Sequence, residues 1–280
     1  MKNRKWIQGF FFILILMIVV NHILVEAGKG IAYFSSFSLH AICPFGGVVT
    51  LYQFFTTGTF VQKIHESSVI LMFLVFLMSV LFGSVFCGWI CPFGTFQEWS
   101  SKIGKKIFKR KYNNFISKKL DYYLRFIRYI VLVWIIYNTA MTAKLVFINI
   151  DPYYALFHFW TGEVAVSALF ILGIVLLSSI FIERPWCKYL CPYGAILGLS
   201  NKISIFKIVR NKSKCISCMS CDKNCPMNII VSKQEIINNH QCIRCMECTS
   251  EANCPIENTV ELSSRKNNTI LDEKSTGGRV

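Results

Sequence analysis

The fold of the C-terminal region is decided by residues 215–226, Cys-Ile-Ser-Cys-Met-Ser-Cys-Asp-Lys-Asn-Cys-Pro. A second copy follows at residues 242–255, Cys-Ile-Arg-Cys-Met-Glu-Cys-Thr-Ser-Glu-Ala-Asn-Cys-Pro, with two additional residues before its last cysteine. The spacing C-x2-C-x2-C-x3-C-P is that of thiolates which hold two [4Fe–4S] clusters, and the fourth cysteine of each copy crosses to the other cluster. The two copies therefore predict a pair of iron–sulfur clusters.

These eight cysteines predict a small α+β ferredoxin-like domain over residues 206–262, followed by a disordered tail over residues 263–280. The crossing rule assigns the ligands of the two clusters as Cys215, Cys218, Cys221 and Cys254 for the first and Cys242, Cys245, Cys248 and Cys225 for the second. The alternative is a pair of zinc sites, because C-x2-C pairs also bind zinc. Zinc needs only four ligands and does not require three thiols at this spacing.

The rest of the chain is apolar enough to predict a membrane domain. Of the 280 residues, 54% are hydrophobic, and the mean hydropathy is +0.46. Four stretches approach the ~20 residues that a helix needs to cross a hydrocarbon core, and they are Trp6–Val25, Ser68–Phe86, Leu124–Thr142 and Val164–Ile182. The first has no small-residue cleavage site, so we expect a retained helix rather than a signal peptide. The predicted fold class is an all-α membrane protein with four transmembrane helices within residues 1–205, joined to the ferredoxin-like domain.

Basic residues lie mainly on one side of these four stretches. The 87–123 loop and the 183–214 segment are rich in Lys and Arg, whereas the 26–67 loop carries two basic residues and the 143–163 loop carries one. Since short basic loops stay on the cytoplasmic side, we expect a multi-pass protein of the inner (cytoplasmic) membrane with both termini in the cytoplasm. This distribution also explains the net charge of +15, because basic segments beside a membrane bind anionic lipid. Nucleic-acid binding is therefore not expected.

Two further cysteine pairs reveal an internal repeat. Residues 86–94, Phe-Cys-Gly-Trp-Ile-Cys-Pro-Phe-Gly, align with residues 186–194, Trp-Cys-Lys-Tyr-Leu-Cys-Pro-Tyr-Gly. We call these segments the first and the second corner. Each corner follows an even-numbered apolar stretch, so the membrane domain is predicted to consist of two tandem helix pairs related by a pseudo-two-fold axis.

The cysteines of the corners have two interpretations. On one helix, positions i and i+4 lie on the same face, so Cys87 and Cys91 would present both thiols together, with the turn ended by Pro92. Four thiolates at two such corners suit an iron–sulfur cluster or zinc, and the candidate redox residues or ligands of a further cofactor are Cys87, Cys91, Cys187 and Cys191. The alternative is that these cysteines are buried packing residues.

Two weaker candidates lie toward the outer side of the predicted membrane domain. Cys43 belongs to a shorter Cys-Pro-Phe-Gly echo in the first outer loop. His22 lies near the outer end of the first apolar stretch, where an ionisable residue is a candidate proton acceptor for quinol.

Together, the four apolar stretches, the two corners and the twin cluster motifs resemble the NapH family, the quinol dehydrogenase membrane component of periplasmic nitrate reductase systems. They are also similar to the membrane-and-ferredoxin half of NosR-type and CcoG-type proteins. The resemblance covers residues 1–260. It implies an electron-transfer subunit, rather than a stand-alone enzyme, that relays electrons between the quinol pool or a cytoplasmic donor and a redox partner on the outer face. The partners implied are a flavoprotein, a molybdoenzyme or a cytochrome.

The chain departs from a standard nitrate-reductase component in ways that leave other functions open. The sequence contains no C-x-x-C-H motif for a c-type haem and no fused flavin-binding domain. Residues 40–47, His-Ala-Ile-Cys-Pro-Phe-Gly-Gly, are closer to generic relatives than to a dedicated nitrate partner. The alternatives are a CcoG-like metal-handling or oxidase-assembly factor and an iron–sulfur redox sensor.

Overall fold

Helices make up most of the computed structural model, which describes residues 2–26, 66–142, 146–159 and 164–264. The α-helices are α1 (Lys2–Glu26), α2 (Glu66–Phe82), α3 (Val85–Trp89), α4 (Pro92–Phe108), α5 (Lys118–Leu124), α6 (Ile127–Thr142), α7 (Pro152–His158), α8 (Val166–Ser179), α9 (Pro185–Tyr189), α10 (Pro192–Ile203) and α11 (Ser220–Lys223). Two 3-10 turns are also present, at Lys109–Lys111 and Val146–Asn149. The strands are β1 (Phe206–Arg210), β2 (Ile236–Ile237) and β3 (Val260–Ser264).

Each of the four apolar stretches of the sequence contains a helix, namely α1, α2, α6 and α8. Among the described residues, one helical segment is long and apolar enough to cross a membrane, and it is Asn3–Val25 near the N-terminus. The segments Ile70–Phe82 and Val166–Ser179 are apolar but shorter. The helices are thus where the hydropathy pattern places them, while the four membrane crossings stay a prediction.

The two corners join long helices to the helices that follow them. In the first corner, α3 ends at Trp89 and Cys91 caps the N-terminus of α4. Pro92 occupies the first turn of α4, where a proline is tolerated because its missing N–H has no partner within the helix. Cys87 and Cys91 therefore do not share one continuous helix, and the expectation that they would do so was wrong. Pro92 begins a new helix after the break rather than only ending the preceding turn.

The C-terminal region forms a small three-stranded sheet with the order β2-β1-β3, in which both pairings are antiparallel. Ile208 in the central strand lies opposite Ile237 on one side and Leu262 on the other. Ile208, Met227 and Ile229 are buried in a common core with several of the cysteines. The sheet and the short helix α11 together give an α+β unit, with the loops that carry the cysteines next to its core.

Candidate iron–sulfur sites

Four cysteines from both copies of the motif line one cavity at the edge of the C-terminal unit. They are Cys215, Cys218, Cys221 and Cys254. The cavity encloses about 370 Å³, part of it open to solvent, and its wall also includes Arg210, Ile216 and Met219. The structure thus brings Cys254, which is 33 residues beyond Cys221, to the three cysteines of the first copy.

The other four cysteines of the two motifs line a second cavity of about 360 Å³. They are Cys225, Cys242, Cys245 and Cys248. The remaining wall is largely apolar and includes Ile208, Ile229 and Ile243. Each cavity is thus lined by one of the two sets of four cysteines that the spacing rule assigns to a cluster.

The backbone of the two cysteine loops winds in the same way. Ser217 and Met219 in the first copy, and Arg244 and Met246 in the second, all have φ between 50° and 58°. Non-glycine residues in this left-handed region cost about 1–3 kcal/mol each and persist where their surroundings require them. Where the backbone alternates between the right-handed and left-handed regions, successive N–H groups form a concavity that binds anions, as in many iron–sulfur sites. This repeated strain fits loops shaped to hold an anionic cluster.

The two cavities differ in their exposure. Cys218 is exposed, and Ile216 beside it is 61% accessible to solvent. Cys242 and Cys248 are buried, as is the neighbouring Ile243. The cysteines of the first cavity are therefore more exposed as a set than those of the second.

The second cavity lies against the first corner. Cys87 packs on the core that contains Cys242 and Cys248. A side chain at Gly88 would overlap the carbonyl oxygen of Ile243 and would come within 3.3 Å of the Cys245 nitrogen. Only a residue without a Cβ allows this close approach of two backbones. Gly88 therefore allows the loop of the second cysteine motif to contact the first corner directly.

A buried arginine fixes the same loop to the helices. Arg244 is fully buried, and its guanidinium donates to Asn201 Oδ1 (3.4 Å) and Ser204 Oγ (3.1 Å). Asn201 Nδ2 in turn donates to the carbonyl oxygen of Cys242 (2.7 Å). On the opposite side of the loop, Trp89 Nε1 donates to the Arg244 carbonyl (2.8 Å). Since Trp89 of the first corner and the C-terminal end of α10 both contribute to this contact, the C-terminal unit is held in one orientation.

The backbones of the two corners are nearly the same. The Cys91 nitrogen donates to the Phe86 carbonyl at 2.9 Å, and the Cys191 nitrogen donates to the Trp186 carbonyl at 2.9 Å. Cys91 and Cys191 each cap a helix that has proline in its first turn, with ψ of 112° and 113°. The rings of Phe86 and Tyr193 pack edge to face across the two corners, 5.7 Å between centroids. The sequence repeat is thus a structural repeat, and its two copies meet.

Cys91 and Cys191 of the two corners pack against the same buried cluster, which contains Phe93 and Trp186. Burial raises the pKa of the Cys91 thiol to about 12, and the neighbouring Cys187 contributes to the rise. Burial also raises the pKa of Cys191 well above its usual value, and Cys187, Cys87 and Cys91 raise it further. The pKa of Cys87 is raised by burial and by the other thiols, against Arg184 and Arg128, which lower it. Each pair of cysteines is therefore within electrostatic reach of the other.

Several charged side chains around the corners were not predicted from the sequence. Arg184, which is fully buried, donates to the Cys87 carbonyl (2.6 Å) and pairs with Glu98 (2.7 Å). Glu98 also pairs with Arg4 (2.7 Å), and Arg4 reaches Glu247 (2.5 Å) beside Cys248. A signal was present, because Glu98 and Asp121 are the two acids of the basic 87–123 segment. Asp121 is likewise buried, and it pairs with Lys188 of the second corner (2.8 Å).

The described residues do not show a site around either of the two weaker candidates, Cys43 and His22. Cys43 lies outside them, and His22 lies within α1 but its side chain is not described. Within the described ranges, no three side chains of His, Cys, Asp or Glu are arranged to hold a single metal ion.

Comparison with known proteins gives two matches of one family model, which is described as a 4Fe–4S binding domain. They cover residues 64–111 and 164–214, so each includes one corner. The candidate electron transport protein YccM of Escherichia coli is 32% identical over 229 residues, which are 80% of this chain and 63% of YccM. The ferredoxin-type protein NapH of Haemophilus influenzae is 29% identical over 154 residues, which are 55% of this chain and 51% of NapH. The protein NirI of Paracoccus denitrificans is 32% identical over 149 residues, which are 52% of this chain and 21% of NirI.

The chain is similar to proteins of the NapH/NosR-like 4Fe–4S superfamily. Its matches to the 4Fe–4S binding domain model support iron–sulfur clusters as its cofactors. The chain spans less than two thirds of YccM and about half of NapH. No solved structure matches it.

Proposed function

We propose that the chain is a membrane-bound electron carrier with two [4Fe–4S] clusters, one in each four-cysteine cavity. The observation that carries the proposal is that each cavity is lined by four cysteines, three from one copy of the motif and one from the other. Each cluster, when bound, accepts and donates one electron at a time. Cys215, Cys218, Cys221 and Cys254 would hold the first cluster, and Cys242, Cys245, Cys248 and Cys225 the second.

The residues around the two cavities give the two sites different surroundings. Exposed side chains at the first cavity, such as Ile216 and Met219, give a partner protein access to the cysteines beneath. The apolar wall of the second cavity excludes water, and the buried guanidinium of Arg244 lies near Cys242 and Cys248. A nearby positive charge stabilises a thiolate-bound cluster and so favours its reduced state.

Exposed apolar side chains support a place in the membrane. Phe73 in α2, Ile130 in α6 and Val166 in α8 are 65%, 68% and 81% accessible. Long apolar surfaces are rare on soluble proteins, and they mark contact with lipid or with another protein. In this arrangement the C-terminal unit lies on the basic, cytoplasmic side of four spans. Electrons would pass between a cytoplasmic donor or quinol and a partner on the outer face.

The proposal is tested with serine variants of one cysteine from each set. We expect Cys218→Ser and Cys248→Ser each to lower the iron content of anaerobically purified protein by about four atoms per chain, because each removes a ligand of one cubane. We expect the EPR spectrum of the reduced protein to lose a different signal in each variant. Iron and EPR measured on the same preparations check both outcomes.

The matched control is Cys43→Ser, which should retain the iron content of the unchanged protein. Fewer than about six iron atoms per chain in the unchanged protein, with zinc present, would show that the motifs bind zinc instead. Loss of the same EPR signal in both variants would contradict the division into two sets.

A further inference from the structure

We infer that the two corners together form a third iron–sulfur site, in which Cys87, Cys91, Cys187 and Cys191 hold one [4Fe–4S] cluster between the second cavity and the helices. The inference extends the proposed function and rests on it, because it adds a buried electron carrier beyond the two of the C-terminal unit. Five features of the described residues lead to it.

The first feature is the convergence of four thiols from two identical turns. Both turns place their first cysteine inside a short helix, α3 or α9, and their second at the N-cap of the next helix, α4 or α10. A packing role would require small apolar side chains at these positions and would not require the same turn twice. Four cysteines are the ligand set of a [4Fe–4S] cluster.

The second feature is positive charge buried next to the thiols. Arg184 and Arg128 are 0% and 2% exposed, and the Arg184 guanidinium donates to the Cys87 carbonyl (2.6 Å). Buried charges are normally paired, because the desolvation of an unpaired charge is costly. Glu98 pairs with Arg184, whereas among the described residues Arg128 has no carboxylate partner and bonds instead to the His240 carbonyl, Gln241 and Tyr129.

The third feature is a pair of unpartnered donors on these same arginines. Nε of Arg184 and Nε of Arg128 are buried without a hydrogen-bond partner among the described residues. Buried donors of this kind are rare and point to a group that the protein atoms alone do not show. A cluster with four thiolates carries net negative charge, so it would give both guanidiniums a counter-charge.

The fourth feature is the buried lining around the thiols, which are themselves only partly exposed. Phe93 and Trp186 are buried, and Cys91 and Cys191 pack against them together with Tyr193. Gln97 is also fully buried, and it donates from Nε2 to Cys187 Sγ (3.4 Å), while the Gly194 nitrogen donates to Cys191 Sγ (3.3 Å). Hydrogen bonds to sulfur are among the factors that set the potential of a cluster.

The fifth feature is the position of the corners relative to the second cavity and to the family model. Gly88 brings the corner backbone against the loop of Cys242 and Cys245, so the two sites are neighbours. Both matches of the 4Fe–4S binding model contain a corner, and the second match ends at residue 214, before the cysteines of the two cavities begin. One electron would leave the cluster of the second cavity and reduce the corner cluster, with no bond made or broken.

The test is the count of iron, sulfide and zinc in the full-length protein purified anaerobically in detergent. Three cubanes give about 12 iron and 12 sulfide per chain, whereas two give about 8 of each. About 12 supports the inference. About 8 overturns it and leaves the proposed function intact, and about 8 iron with one zinc assigns the corners to zinc. About 4 or fewer contradicts the proposed function as well.

A double variant tests which cysteines are responsible. We expect Cys87→Ser with Cys187→Ser to lower iron from about 12 to about 8 per chain and to remove one EPR signal, with the two other signals unchanged. Those remaining signals show that the C-terminal unit is still folded. Cys43→Ser is the control and should retain about 12 iron atoms. An unchanged iron count in the double variant, or a loss of about 4 in the control, overturns the assignment.

Discussion

Replacement of Glu98 by alanine is expected to lower the free energy of unfolding by about 3–5 kcal/mol, because it removes the carboxylate that pairs with the buried Arg184 guanidinium and one of the two that pair with Arg4. Glu98 pairs with both Arg4 and Arg184, whose side chains are 5% and 0% exposed. These contacts join α1, α4 and the N-terminus of α9. Urea titration of the purified protein in detergent, followed by tryptophan fluorescence, measures the change.

The control for this variant is Glu235→Ala. Glu235 pairs with Lys212 at the surface, where the two side chains are 49% and 70% exposed. Exposed pairs contribute little because water and salt screen them, so no measurable loss of stability is expected there. If Glu98→Ala lowers the free energy of unfolding by less than about 1 kcal/mol, the ion pairs of Glu98 do not hold these elements together.

The same network makes stability depend on pH in a defined window. Burial alone would raise the pKa of Glu98, but the guanidiniums of Arg184 and Arg4 lower it from 4.5 to about 2. The folded state therefore favours the ionised carboxylate. Its contribution is complete above about pH 4.5 and is lost as the pH falls through about 2. We expect the difference in melting temperature between the unchanged protein and Glu98→Gln to shrink across this window, and a constant difference from pH 7 to pH 2 would argue against the ion pairs.

Replacement of Gly88 by alanine is expected to displace the second cysteine loop from the first corner. The added Cβ would overlap the Ile243 carbonyl, which is backbone and cannot rotate away. Overpacking of this kind typically costs about 1–3 kcal/mol. Gly198→Ala should act in the same way, since its Cβ would overlap the His240 carbonyl. Limited proteolysis should release the C-terminal unit faster in either variant.

The matched controls are Gly9→Ala and Gly173→Ala. Both glycines lie in helices, and an added Cβ at either position meets no atom of another described segment within 4 Å. The two controls should therefore leave the rate of proteolysis unchanged. Equal rates for Gly88→Ala and Gly173→Ala would show that the C-terminal unit does not depend on the close contact at the corner.

The sequence carried most of the information about which cysteines come together. The crossing of Cys225 and Cys254 follows from the rule for this spacing, in which the fourth cysteine of each copy joins the other cluster. The repeat of the corners was also visible, since every aligned position differs by 100 in number. The end of the turn at Pro92 was predicted, whereas the new helix that begins at Pro92 was not, because proline both ends one helix and begins the next. For Pro92, the sequence pattern alone does not decide between the two.

The buried ion pairs could not have been predicted by the same reasoning. Arg4 and Glu98 are 94 residues apart, and Arg4 and Glu247 are 243 apart. Local patterns treat such residues as a solvated basic segment with scattered acids, which is what the charge distribution of the sequence indicates. The tertiary contact that buries them depends on how the corners pack. The close approach at Gly88 could not be predicted for the same reason. A single glycine next to a cysteine can serve several local roles, and the sequence does not show which one applies.

The bond between Arg4 and Glu247 has a consequence for how the molecule is made. Its two ends are separated by 243 residues, nearly the whole described chain. A ribosome adds about 5–20 residues per second, so Glu247 is synthesised roughly 12–50 s after Arg4. During that interval the first turn of α1 waits without one of its two carboxylate partners. The cysteine loop that is translated last thus supplies the carboxylate that completes the ion pairs of the first helix.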